Sequence, residues 1–179
     1  EVRGGVALHV SKLWPFVRAV QQMELDAFGA ELSLYQKELK GSTLLDAKRF
    51  KFAGQMPSMN DEERRKHCRS FLTKGLEKKT NQTREEFTAY GQACLEMAQG
   101  MFQLLQDHEA RLFASAVPRG AAKPPADLGE NLLRKDFVFL LERFYYLLEE
   151  KQEHGLLVLD EVEKSADRRF VRRLEHYFT

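Results

Sequence analysis

A chain of 179 residues that is 43% hydrophobic, with 13 Phe, can bury a core without a disulfide or a metal to hold it. Its 28 basic and 27 acidic residues leave a net charge of +1, which excludes wrapping duplex nucleic acid by bulk charge and throws any such role onto local clusters. No apolar run approaches the roughly 20 residues that span a bilayer, since the best stretch, 137–148, is interrupted by Glu142 and Arg143.

In chain order, residues 4–10 are expected to form a β-branched strand behind a glycine pair. Ser11 is a candidate cap, Pro15 is tolerable in a first helical turn, and Phe16, Val20, Met23 and Ala27 then recur at helical spacing until Gly29. Residues 32–52 are harder to read, and Glu38-Leu39-Lys40-Gly41-Ser42 fits either a strand end or a turn. Asn60 with Glu63 and Thr83 with Glu86 form two capping boxes. They open helices striped by Cys68, Phe71, Leu72 and Leu76, and by Phe87, Tyr90, Cys94, Met97, Met101 and Leu105. The two helices are expected to pair as a hairpin.

Residues 111–117 read as a buried strand and 118–126, with Pro124-Pro125, as a surface loop. A third capping box, Asp127 with Glu130, precedes a helix striped by Leu133, Phe137, Leu140, Leu141, Phe144 and Leu148 that ends near Gly155. Residues 156–159 read as a second short all-apolar strand, and a last helix begins near Ser165 with Phe170, Leu174 and Phe178 on its inner face. Strands alternating with helices in this order point to an α/β fold.

Two strings could carry chemistry. The apolar strand 156–159 ends in Asp160-Glu161, which would place carboxylates at the carboxyl edge of a sheet, where ligands bind and hard cations find oxygen donors. Asp160 is equally a turn or cap residue. The Glu38-Leu39-Lys40-Gly41-Ser42 string joins an acid, a base and a flexible glycine, and suits anion or metal handling as well as an ordinary turn.

Taken with Gly4-Gly5-Val6-Ala7, Phe50-Lys51-Phe52, the strand at 111–117 and the helix through 137–146, these strings resemble the family catalogued as domain of unknown function 3800. The resemblance runs over nearly the whole chain. It implies a single ribonuclease H-like domain over 1–179, with a mixed sheet, long packing helices and a helical-pair insertion at 57–108. It implies a divalent-metal-dependent nuclease, of bacterial or phage-related setting, that cleaves phosphodiester bonds with Mg2+ or Mn2+. Glu38 and Asp160 match the family's acidic, metal-holding positions, and Glu161 is an adjacent catalytic candidate. Lys40, Arg168 and Arg172 would then hold phosphate.

Two family strings do not occur here: the Asp-Glu-Ser-Gly that ends the first strand, and the Gln, Ala and Asp of the closing helix. The chain, which starts without Met, is therefore expected to be a segment of something longer that lacks the first strand and closing helix. The alternative function is a catalytically degenerate interaction or accessory module that docks a protein through the helical pair.

The remaining side chains read more plainly. Arg168, Arg169, Arg172 and Arg173 could face phosphate, or form a solvated face balanced by Glu161, Glu163, Asp167 and Glu175. Arg64, Arg65, Lys66 and Arg69 follow three acids and are expected on a helix surface. Cys68 and Cys94 read as reduced packing residues of a cytoplasmic protein, Met97 and Met101 as core filler, and the five scattered histidines as no ligand set. Neither a membrane segment nor a Gly-x-x-x-x-Gly-Lys phosphate loop occurs in the sequence.

Overall fold

The computed structural model describes residues 2–78, 80–118, 120–121, 133–158 and 164–178. The chain divides into two compact units, Leu8–Ala110 and a second formed by Glu1–Ala7 with Arg111–Thr179.

The first unit is helical. Helix α1 (Val10–Phe28) starts after His9, whose ring nitrogen accepts from the Ser11 amide at 3.3 Å, so the cap lies two residues before the expected serine. Pro15 consequently falls in the second turn, where it withholds the N–H that would have met the Ser11 carbonyl. Gly29 ends the helix at φ 72°, and a Cβ there would meet Arg65 at 2.7 Å. Backbone and space both demand glycine. A 3-10 turn (Leu32–Tyr35) and two short helices, α2 (Gly41–Leu44) and α3 (Ala47–Ala53), follow.

The long pair α4 (Asp61–Glu77) and α5 (Arg84–Asp107) then closes the core. Asn60 accepts from the Glu63 amide at 2.9 Å. The Thr83 box is reciprocal: its hydroxyl accepts from the Glu86 amide at 3.3 Å while the Glu86 carboxylate accepts from the Thr83 amide at 2.8 Å. Glu86 is buried, and also receives Ser70 Oγ at 2.5 Å and Lys74 Nζ at 2.7 Å.

The core of this unit gathers Ala27, Phe28, Leu32 and Leu44 with Cys68, Phe71 and Leu72 of α4 and Tyr90, Cys94 and Met97 of α5. The helical stripes read in the sequence are the faces that meet here, except at Leu76, which lies exposed near the end of α4. Gly91 lets α3 approach α5, since a Cβ on it would sit 2.7 Å from the Arg49 carbonyl oxygen.

The arginines expected on the surface of α4 are not all there. Arg64 is buried, donates to the carbonyls of Asp26 and Ala27, and pairs with Glu96 at 2.8 Å. Arg65 donates to Asp26 at 2.7 Å and Arg69 to Gly29 at 3.3 Å. Orphan carbonyls and the negative dipole at the end of α1 attract these cations, which a single-helix pattern cannot reveal.

In the second unit, β1 (Val2–Ala7) pairs antiparallel with β2 (Arg111–Ala116), Val2 opposite Ala116 and Ala7 opposite Arg111. Helix α6 (Lys135–Lys151) packs on both strands. The buried Asp136 in its first turn takes Arg3 Nε of β1 at 2.5 Å and the Arg134 guanidinium at 3.0 Å. The Arg3 guanidinium also lies 4.5 Å from the Phe137 ring centroid. Helix α7 (Lys164–Phe178) meets α6 through Phe170 on Phe137, ring centroids 4.6 Å apart, and through the Tyr177 hydroxyl, which donates to Glu142 at 2.9 Å.

This architecture overturns the expected α/β, ribonuclease H-like mixed sheet. Among the described residues the only sheet is one antiparallel ribbon, and helices make up most of the chain. Residues 156–158, expected as a buried strand, pair with nothing as strand, and Leu156 and Val158 are 85% and 86% exposed. Residues 111–116 do form a strand, but Leu112 is 58% exposed, so the expected burial fails. An apolar run states what a segment could bury, and it does not supply the neighbouring strands that would bury it. The first strand also ends earlier than expected, at Ala7, because His9 and Val10 already turn into α1. The Asp127–Glu130 box and most of the 118–126 loop lie outside the described residues. Among the described residues, no helix is long and apolar enough to cross a membrane.

Candidate anion-binding pocket

The Glu38-Leu39-Lys40-Gly41-Ser42 string is the connection into α2, with Lys40 as its N-cap residue. Leu39 packs against the helical core, while the side chains of Glu38 and Lys40 are 75% and 61% exposed. Those two meet each other, Lys40 Nζ to Glu38 Oε2, at 2.7 Å. An exposed pair like this contributes at most about 1 kcal/mol. Its chemical consequence is that the carboxylate already has a cation.

The string forms part of the rim of a cavity of about 380 Å³ within the helical unit. Gln36, Lys37, Glu38 and Lys40 at its edge are exposed, whereas Phe71, Leu72 and Tyr90 on its inner side are buried. Thr43, Arg49, Gly75 and Gln82 complete the lining. The cavity therefore runs from a polar mouth, with two lysines and one carboxylate, to an apolar floor.

Arg49 joins the two. Its guanidinium carbon lies 4.9 Å from the Tyr90 ring centroid and 5.8 Å from that of Phe71. Those rings stack on each other at 4.4 Å with planes 20° apart. Ring faces attract a cation, but they do not hydrogen-bond in the guanidinium plane, and Arg49 Nε is buried with no partner among the described residues. Leaving such a donor unmet costs about 1–3 kcal/mol.

The floor carries no opposing charge: burial raises the Tyr90 hydroxyl, which is neutral at physiological pH. In the core outside the lining, burial likewise pushes the Cys68 and Cys94 thiols up to about 12. Among the residues lining the cavity, Lys37, Lys40 and Arg49 stand against the single carboxylate of Glu38. The arrangement attracts an anion.

The site residues expected from the sequence fare unequally. Glu38 and Lys40 are brought together and share this rim. Asp160 and Glu161 lie outside the described residues. Arg168 and Arg172 are exposed on α7, in the other compact unit. Among the described residues, no three His, Cys, Asp or Glu side chains converge as metal ligands. Glu38, engaged by Lys40, does not on its own fit a divalent cation, which calls for several oxygen donors.

Arg49 is the functional candidate that sequence reading missed. The one local signal is the alternation of basic and aromatic residues in Lys48-Arg49-Phe50-Lys51-Phe52. No family model, no curated protein and no solved structure matches the chain.

Proposed function

We propose that this chain binds nucleic acid through its phosphate groups, and that the pocket at the Glu38–Lys40 turn is where it does so. The observation that carries the reading is the convergence of Lys37, Lys40 and Arg49 on one cavity whose lining holds a single acid. Lysine offers phosphate a point charge and arginine a planar fork of donors. Arg168 and Arg172, exposed on α7, are a second candidate phosphate-contacting surface.

Hydrolysis of the phosphodiester is the activity that the resemblance to domain of unknown function 3800 adds to this reading. It would draw on Asp160 and Glu161 and on Mg2+ or Mn2+, and the described residues support binding rather than cleavage. A cytoplasmic setting belongs to the same reading.

Fluorescence anisotropy with a short labelled single-stranded oligonucleotide tests it. The logarithm of affinity should fall linearly with the logarithm of salt, by about 0.7 per phosphate contact. Lys40→Gln should weaken binding at every salt concentration and flatten that slope. Salt-independent binding, or none, would reject the proposal. Incubation with Mn2+ and comparison with Asp160→Asn tests the cleavage arm separately.

Protein docking through the helical pair is the second reading. The inner faces of α4 and α5 are consumed by the core, while Leu76 on α4 and Phe102 on α5 are 41% and 63% exposed. Phe102→Ser would then abolish capture of a partner without changing oligonucleotide affinity.

A further inference from the structure

We infer that the pocket beneath the Glu38–Lys40 turn takes a terminal phosphomonoester rather than an internal phosphodiester. This inference rests on the nucleic-acid reading above and sharpens it to one chemical group.

Three features point the same way. The first is charge. Lys37, Lys40 and Arg49 against Glu38 leave two net positive charges on the lining. A phosphomonoester carries about two negative charges at neutral pH, whereas each internal diester carries one. A dianion matches this site and a monoanion leaves it under-neutralised.

The second is shape. The lining passes from exposed residues at the mouth to Phe71, Leu72 and Tyr90, all buried, at the floor. An internal phosphate is flanked by sugar on both sides and can only be approached from outside. A strand end can insert. The cavity, about 380 Å³, has room for a phosphate and the sugar that bears it.

The third is Arg49. It lines the cavity and is held against the stacked Tyr90 and Phe71 rings. The ring stack fixes the guanidinium before a ligand arrives, so little side-chain entropy is lost on binding. Terminal phosphate oxygens, three of them free on a monoester, are acceptors that suit a preset fork of donors.

The experiment uses the full chain and four probes: one oligonucleotide with a 5′-phosphate, a 3′-phosphate or hydroxyls at both ends, and inorganic phosphate as competitor. At least one phosphorylated form should bind about tenfold more tightly than the hydroxyl form. Inorganic phosphate should erase that difference at millimolar concentration.

Arg49→Gln should abolish the preference. Because Arg49 also packs on core rings, its far-ultraviolet circular dichroism and thermal midpoint are measured alongside. Lys37→Gln, at an exposed position that leaves the core untouched, should reduce the preference several-fold. Equal binding of all three oligonucleotides overturns the inference, and so does a preference that survives Lys37→Gln unchanged. If the three bind equally, with the salt slope and Lys40 dependence intact, the nucleic-acid reading stands and only the end-recognition claim falls. If no oligonucleotide binds while inorganic phosphate does, the broader reading falls with it.

Discussion

The two compact units solve the burial problem in different ways. In the helical unit, Phe28, Leu72, Met97, Cys68 and Cys94 are each at most 1% exposed, because α1, α4 and α5 enclose them from several directions. In the other unit the buried apolar residues among those described are Leu133 and Leu141, and Val6, Leu112, Phe139 and Tyr146 are all more than half exposed. A two-stranded ribbon backed by one helix shields one face only, and such a ribbon is marginal on its own. What the second unit has instead is a polar lock, the buried Asp136 gripped by Arg3 and Arg134. One unit is held by packing, the other leans on a charge pair.

The largest effect should come from breaking the packed unit. Phe28→Ala removes a fully buried ring that lies 5.4 Å from Tyr90, and should cost about 4 kcal/mol in urea denaturation. Amide exchange should accelerate in α5, at Ala93 for example, and stay slow at Leu141 in α6 if the units open independently. Equal acceleration at both would mean they unfold as one body.

Asp136→Ala is the counterpart in the other unit. It removes the buried carboxylate that accepts from Arg3 and Arg134, whose guanidiniums are themselves partly exposed, and should cost about 2 kcal/mol, with the exchange pattern reversed. Acid sharpens the same contrast. Burial alone would raise the Asp136 carboxyl, but the Arg3 hydrogen bond and the charges of Arg134 and Arg3 outweigh it and hold it below the usual range. A carboxyl whose folded value is depressed stabilises the fold at pH above its unfolded value of about 3.9, and that stability fades as pH falls through the folded value. Wild-type protein should therefore lose stability below about pH 4, and Asp136→Asn should lose less of it over the same range. Identical acid profiles would show that the lock contributes nothing.

The helical unit was the legible part of the sequence for the reason it is the better packed part. Periodic stripes such as Tyr90, Cys94, Met97 and Met101 are local signals, and so are the caps at Asn60 and Thr83 and the stop at Gly29. Strand residues carry no comparable local instruction. The run at 156–158 is as apolar as a central strand, yet a strand exists only where another chain segment offers its edge, and that information is not in the run. The candidate site was half legible for a related reason. Glu38 and Lys40 lie close in sequence, whereas Arg49, Tyr90 and Phe71 meet only through the packing of α3 and α4 on α5. The α4 arginines show the same limit: Arg64 reads as surface until the carbonyl end of α1 is placed beside it.

The smallest effect isolates a local signal from the packing around it. Thr83→Ala removes the hydroxyl that accepts from the Glu86 amide, and a lost cap of this kind costs about 1 kcal/mol. The other half of the box should survive, because Glu86 accepts from the backbone amide of residue 83, which alanine also has, and is further held by Ser70 and Lys74. The same urea titration that reads Phe28→Ala should thus show a shift about a quarter as large. A loss near 3 kcal/mol would instead mean that Glu86 had been released into the core as an unpaired charge. In that case the helical unit too would depend on a polar lock, and the contrast between the two units would be one of degree.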